Sequence, residues 1–426
     1  GGSKKWFFQQ LSQELMIIRT FRFAGIALSL FIIGCAKAPL PQGSHWRGTV
    51  TLVENKQVSF QMMLHLQGDA SSGYFLVGDE QTPIPEVYQR GDSVLLEISE
   101  YGAAVRGVWD GEKLKGSFLR FRTDTLAFPV EASPLSPASS AAKREPTGEV
   151  PLVGKFQVYF HRGETTDSTT TATFWMKNDS IYGTFIAQDG DYGLMVGRQV
   201  GDQLQLNRFT GWQANVLDMQ RVNGVWTGKY YARKNPPVSF TLEPRVTLPK
   251  ELPGARLTRM RDPRKPFSFF GVSIAGDTVT NLDPRLKGKV ILIDIMGTWC
   301  HNCMDAAPLL QQLYEEFQPQ GLEIVGLSFE LSDDLQTARK NLLLYQERFG
   351  ITFPLLFCGT TDDPNVETRL HSQVEEFFAY PTTFFVGRDG RVKKIHVGFK
   401  GPGIGEEFQQ QVEEYYQVVR ELVGRE

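Results

Sequence analysis

The spacing of hydrophobic and polar positions changes character twice along the chain. Residues 23–34 are an uninterrupted apolar and small run that stops at Cys35. Between Trp46 and Ala132 the pattern becomes short β-prone runs, such as 58–62 and 94–98, separated by Gly-Asp and Asp-Gly turns, which predicts antiparallel sheet. From about Lys265 onward, buried-strand runs alternate with amphipathic helical stretches, which predicts α/β packing. Residues 290–295 and 323–329 read as strands, and Leu309, Leu310, Leu313, Tyr314 and Phe317 recur with helical period. Residues 383–386, the turn 387–390 and residues 392–397 form a hairpin; Phe408, Val412, Tyr415 and Val419 mark one face of a last helix.

The β-prone series returns near residues 153–243. Gly73-Tyr74-Phe75 is echoed by Gly183-Thr184-Phe185, Gly91-Asp92 by Gly201-Asp202, and Asp110-Gly111 by Asn223-Gly224, at offsets of 110, 110 and 113 residues. A nearly constant offset predicts a duplicated module. The expected architecture is therefore multidomain: two similar all-β modules at 45–132 and 152–244, then an α/β domain over 267–426. Linkers fall at 133–151, rich in Ser, Pro, Ala and Lys, and at 245–266. The modules themselves suggest no chemistry. His45, His65 and His161 lack metal spacing, and Trp46, Trp109, Trp175, Trp212 and Trp226 read as core aromatics.

A basic stretch from Met16 precedes the apolar run, the order of a secretory signal over residues 16–34, and the run is too short to span a bilayer. Ile32-Ile33-Gly34-Cys35 resembles the lipobox of bacterial lipoproteins, which implies acylation of Cys35 and a lipid-anchored tether over 35–44. Stable anchoring of that kind takes two acyl chains, or one chain and a second signal. Residues 1–15 are set aside as a non-native or upstream segment. The expected location is the cell envelope, lipid-anchored and facing the periplasm.

Composition narrows the functional classes. The 426 residues carry 45 Lys+Arg against 48 Asp+Glu, a net charge of −3, so no basic excess recruits nucleic acid. Residues 244–266 hold seven basic side chains against Glu251 and Asp262, a solvated connector able to touch anionic lipid or substrate. Four cysteines are too few for a disulfide scaffold of this size. Cys358 ends an apolar run and reads as a buried structural thiol.

Cys300 and Cys303 form a CxxC at a strand-to-helix junction. There the unsatisfied amides and the helix dipole lower the pKa of the first thiol, so Cys300 is expected to be an exposed thiolate and Cys303 its resolving partner. The competing use of such a pair is half a zinc site, but no second CxxC or ordered His pair completes four ligands, and no metal is expected.

The segment Gly297-Thr298-Trp299-Cys300-His301-Asn302-Cys303, followed by Pro308, resembles the active site of thioredoxin-fold proteins, in particular TlpA/ResA-like extracytoplasmic disulfide reductases. Tyr380-Pro381-Thr382-Thr383-Phe384 is similar to that family's cis-proline loop, and Gly387-Arg388-Asp389-Gly390 to the turn after it. The likeness covers roughly 267–424. It implies that Cys300 attacks and Cys303 resolves, that Trp299, Tyr380 and Pro381 meet the substrate, and that Asp294 is the buried acid accepting the Cys303 proton. Two departures stand out. Family members often carry Glu three residues after the second Cys, where this chain has Ala306, with Asp305 beside it. The dipeptide is His301-Asn302, and an imidazolium at His301 is expected to stabilise the Cys300 thiolate and make the disulfide more oxidising.

The expected function is a thiol:disulfide oxidoreductase, with reduction of oxidised protein clients favoured and the direction left open by the dipeptide. It needs no cofactor beyond the Cys300–Cys303 disulfide. The resemblance implies an integral-membrane electron donor, and cytochrome c precursors or other exported thiol proteins as clients. The alternative is a ligand-binding or scaffold lipoprotein in which the β modules do the main work.

Overall fold

The structure, a computed structural model, describes residues 39–424 apart from 42, 67–70, 99–100, 122–124, 136–149, 233–234, 247–257, 362–369 and 371. The expected signal 16–34, the acylated Cys35, the segment 1–15 and most of the linker 133–151 lie outside the described residues. No helix among the described residues is long and apolar enough to cross a membrane.

The first sheet contains β1 (Ser44–Thr51), β2 (Gln57–His65), β3 (Ser72–Val77), β4 (Glu80–Ile84), β5 (Glu86–Arg90), β6 (Ser93–Ile98), β7 (Ala103–Trp109), β8 (Leu114–Phe121) and β9 (Thr125–Pro134). Its antiparallel order is β4-β3-β2-β1-β9-β8-β7-β6-β5. The two edges are consecutive strands, and Val87 N donates to Ser71 O across the gap at 3.0 Å, so the sheet curls into a barrel-like shape. Alternation explains the inward face: Val58, Phe60, Met62 and Leu64 of β2 are buried while their neighbours are exposed or half-buried. Each such side chain contributes ~2 kcal/mol by leaving water.

The second sheet holds β10 (Gly154–Arg162), β11 (Thr165–Lys177), β12 (Ser180–Ala187), β13 (Gly190–Asp191), β14 (Met195–Val200), β15 (Gln203–Phe209), β16 (Ala214–Val222), β17 (Val225–Ala232) and β18 (Val238–Arg245). Its order is β11-β10-β18-β17-β16-β15-β14-β12-β13, and an added β11–β12 pairing closes the ring. The two sheets pack directly on each other. Phe209, at the end of β15, enters the first module's core, with its ring centroid 4.7 Å from Phe60 and 5.0 Å from Phe75.

The C-terminal part comprises β19 (Arg259–Met260), β20 (Phe270–Ser273), β21 (Thr278–Thr280), β22 (Val290–Met296), α1 (His301–Phe317), β23 (Leu322–Glu330), α2 (Leu335–Phe349), β24 (Leu355–Thr360), β25 (Val374–Glu375), β26 (Thr382–Val386), β27 (Val392–Val397) and α3 (Glu406–Val423). The main sheet runs β21-β20-β24-β23-β22-β26-β27, with β22, β23 and β24 parallel and β26 antiparallel to β22. Every residue of β22 is buried, as expected for a central strand covered on both faces. Leu292 points toward the side of α1 and α3, with Leu313, Tyr415 and Val419, while Ile291 and Ile293 join Phe384 and Val325 on the opposite face.

Two boundaries differ from the sequence reading. The connector 245–266 is not wholly linker, because β19 within it pairs with β25 and ties the segment to the α/β domain. The tether over 35–44 is not free at its end: Leu40 is buried and its amide donates to Gln89 Oε1 at 3.0 Å.

Candidate active site

β22 delivers the chain to the site and α1 carries it away. Between them, residues 297–299 are held from β23: buried Glu330 accepts from Thr298 N at 3.0 Å and from Thr298 Oγ1 at 2.6 Å, and Trp299 Nε1 donates to Phe329 O at 2.8 Å. Cys300 then caps α1, its Sγ accepting from Cys303 N at 3.2 Å. The first turn contains no carboxylate, so the positive end of the dipole faces Cys300 uncompensated. Cys300 and Cys303 are joined as a disulfide, with Cα atoms 5.2 Å apart.

The Tyr380–Pro381 peptide bond is cis. Its loop lies against the disulfide, with Cys300 Sγ 3.5 Å from Tyr380 O. The Tyr380 ring packs edge-on against Trp299, their centroids 5.4 Å apart, and both side chains are half-buried. Cys300, Trp299, Tyr380 and Pro381 are thus gathered in one place. Cys300 is more enclosed than expected, with 5 % of its surface accessible. The sulfur is tied into the disulfide beneath the Tyr380 loop, and the start of α1 meets the second β module.

Asp294 sits on β22, six residues before Cys300, and is 2 % exposed. Burial pushes its pKa up to about 7, against the opposing effect of a 2.8 Å hydrogen bond from Thr383 Oγ1. A carboxyl at that value exchanges a proton readily near neutrality. Beside it Tyr345, on α2, donates to Cys303 O at 2.8 Å and fixes the backbone of the second cysteine.

The expected imidazolium at His301 is overturned. His301 is enclosed between α1 and the β modules, and burial together with the Arg208 guanidinium pushes its pKa down to about 3. Arg208 Nη2 lies 3.2 Å from His301 Nε2, and the Trp212 ring centroid is 5.8 Å from the imidazole. Neutral His301 gives the Cys300 thiolate no charge support. Asp305 also turns into this enclosure: its Oδ2 is 3.2 Å from His301 Nε2, and burial beside Asp191 and Glu80 raises its pKa well above the carboxylate range.

Sequence reasoning missed the contribution of the β modules. Its available signal is the phase of β15, where Leu204, Leu206 and Arg208 occupy the buried positions, so that a cation stands where the alternation calls for an apolar side chain. Nothing local marks Glu80, Trp212 or Asn302, whose Nδ2 donates to Asp189 O at 3.2 Å. Cys358 is a buried thiol whose Sγ donates to Leu356 O at 3.6 Å. Among the described residues no group of three or more His, Cys, Asp or Glu side chains is arranged to hold a metal ion.

Residues 267–395 match the AhpC/TSA family. The CxxC and the cis-proline loop both lie within the matched segment. Among characterised relatives, the thiol-disulfide oxidoreductase ResA of Geobacillus thermodenitrificans is 31% identical over 117 residues, 26% of this chain and 56% of the relative. The thioredoxin-like protein YneN of Bacillus subtilis is 28% identical over 114 residues, 26% of this chain and 58% of the relative. The chain thus spans a little over half the length of these relatives. Among solved structures, a thiol:disulfide interchange protein of the thioredoxin family from Chlorobium tepidum aligns at 21% identity and TM-score 0.29, over 37% of this chain and 97% of the other.

Proposed function

We propose that this protein exchanges disulfides with exported proteins, chiefly as a reductase, while anchored to the cell envelope through lipid on Cys35. The observation that carries the reading is the Cys300–Cys303 disulfide at the uncompensated N-terminus of α1, with Cys300 Sγ 3.5 Å from the Tyr380 carbonyl of the cis-proline loop. In the reducing direction the Cys300 thiolate attacks a client disulfide and a mixed disulfide forms. Cys303 then gives its proton to Asp294 and attacks Cys300 Sγ, releasing the reduced client and regenerating the intramolecular bond. Trp299 and the Tyr380 backbone offer a flat, half-buried edge for an extended client segment. Neutral His301 favours the reducing direction, because it withholds the charge that would stabilise a Cys300 thiolate.

Turnover in that direction needs a membrane-embedded donor of reducing equivalents and no cofactor beyond the disulfide. The three pairs of sequence markers occupy corresponding elements: β3 and β12, the turns before β6 and β15, and the turns before β8 and β17. This supports one duplicated β module. The contacts of Arg208, Trp212 and Asp189 with α1 favour a redox role for the modules over an independent scaffold.

The test is capture with Cys303→Ser in the native envelope. Reductant-sensitive mixed disulfides through Cys300 are expected, and their absence with every exported protein would sink the reading. Release of the chain from membranes by Cys35→Ala tests the anchor separately.

A further inference from the structure

Two side chains of the second β module, Arg208 and Trp212, meet His301, and Arg208 is the charged one. Arg208 has no exposed side-chain surface. Its Nη1 and Nη2 donate to Glu80 Oε2 and Oε1 at 2.6 and 2.7 Å, Nη1 donates to Leu194 O at 2.9 Å, and Nε donates to Gln213 Oε1 at 2.6 Å. One contact remains, from Nη2 to His301 Nε2 at 3.2 Å. Guanidinium stays protonated and has no acceptor, so in this contact the imidazole nitrogen must accept. The second module thereby touches the residue that directly follows Cys300.

We propose that the second β module sets the redox poise of the Cys300–Cys303 couple through Arg208, a positioning residue whose guanidinium occupies the lone pair of His301 Nε2. The inference rests on the disulfide-exchange reading of the site. Asp305 Oδ2 lies 3.2 Å from the same nitrogen, but burial and the neighbouring Asp191 and Glu80 favour its neutral form. With that lone pair engaged, His301 therefore takes no second proton and brings no positive charge beside the sulfur. A Cys300 thiolate without that support is less stable, and the dithiol is the stronger reductant.

The charged groups facing His301 set the consequence of losing Arg208. They are Glu80 from β4, Arg348 from α2 and Asp305 from its own helix, with Asp191 of β13 close to Arg208. The bidentate pair cancels the charges of Arg208 and Glu80. Removal of the guanidinium leaves the Glu80 carboxylate facing the imidazole, which draws a proton onto it.

The test is the redox equilibrium of the full chain with dithiothreitol. Its two thiols give up two electrons and two protons as the Cys300–Cys303 bond breaks; the protein dithiol forms and dithiothreitol closes to its cyclic disulfide. Arg208→Gln is expected to raise the equilibrium constant for reduction roughly tenfold at about pH 6, equivalent to ~30 mV. The shift should shrink at about pH 8 and vanish when His301→Asn is also present. An unchanged constant at both pH values, or a shift that survives in the double variant, overturns the proposal. If Arg208→Gln does not fold, the wild-type chain decides. Its constant should show no inflection near pH ~6.5 that His301→Asn removes, and such an inflection overturns the proposal equally. No client enters this measurement, so its failure is distinct from failure to capture clients.

Discussion

Thr383 Oγ1 donates a 2.8 Å hydrogen bond to Asp294 Oδ1 from the neighbouring strand, and Tyr415 in turn donates to Thr383 Oγ1 at 2.9 Å. The relay orients a carboxyl whose pKa burial has brought to about 7. In the proposed mechanism this group is the base for the Cys303 thiol. Asp294→Asn keeps the shape and can still accept from Thr383, but it cannot take a proton. Release of client from the Cys300 mixed disulfide is expected to slow by roughly 100-fold, the low end of general-base contributions. Formation of the mixed disulfide should hardly change. Stopped-flow measurement of the two steps separates them, and equal slowing of both would remove Asp294 from the resolving role.

The same buried acid makes folding stability depend on pH with a definite sign. Its folded pKa, about 7, lies above the ordinary value of 3.8, so the native state holds the proton more tightly than the unfolded chain. The associated stability is complete below about pH 4 and is lost as pH rises through about 7. The ceiling on that loss is about 4 kcal/mol, from ~1.4 kcal/mol per unit. Asp294→Asn removes the cost, so it should stabilise the oxidised chain by about 2–3 kcal/mol at pH ~8 and by less than about 1 kcal/mol at pH ~4. Urea unfolding at the two values checks this; equal shifts at both would contradict the linkage.

Much of the C-terminal architecture was legible because its signals are local. The apolar run of β22, the helical recurrence of Leu309, Leu310 and Leu313, and the Gly387–Gly390 turn each specify an element from their own residues. Cys300 and Cys303 were legible for the same reason. The protonation state of His301 was not. It is decided first by burial and then by Arg208, which lies 93 residues away, against the opposing pull of Glu80 of the other module; adjacency to Cys300 in the sequence carries no information about any of these. The charge on a side chain belongs to its enclosure, and enclosure is a tertiary property.

His301 contributes to stability with the opposite pH dependence to Asp294. Its folded pKa, about 3, lies below the ordinary 6.5, so protons favour the unfolded chain in between. That stability is present above about pH 6.5 and is lost as pH falls toward 3. His301→Asn retains an oxygen that can accept from Arg208 but has no such titration. Between pH ~7 and ~5 the wild type should therefore lose about 2 kcal/mol more than the variant. Other groups, Asp294 included, cancel in this difference. Parallel unfolding free energies across the window would show that His301 is free to protonate in the folded protein.

Gly190 marks where the second β module meets the redox helix. Its φ is +124°, and a Cβ there would stand 2.0 Å from Asn302 Nδ2 and 2.5 Å from Phe399 O. The Asn302 amide can swing aside, but the Phe399 carbonyl is backbone and cannot. Gly190→Ala should therefore lift the loop from α1 and break the bond from Asn302 Nδ2 to Asp189 O. Stability is expected to fall by about 2 kcal/mol from backbone strain and the lost contact. Gly91→Ala is the matched control: its φ is +62° and nothing lies within 4 Å of the added carbon. The control should cost ~1 kcal/mol without moving the module. After reduction, Cys300 in the Gly190 variant should react with iodoacetamide several-fold faster than in the wild type, and Cys300 in the Gly91 variant at the wild-type rate. If all three chains alkylate alike, the module is not what encloses the first cysteine, and the cover must be assigned to the Tyr380 loop alone.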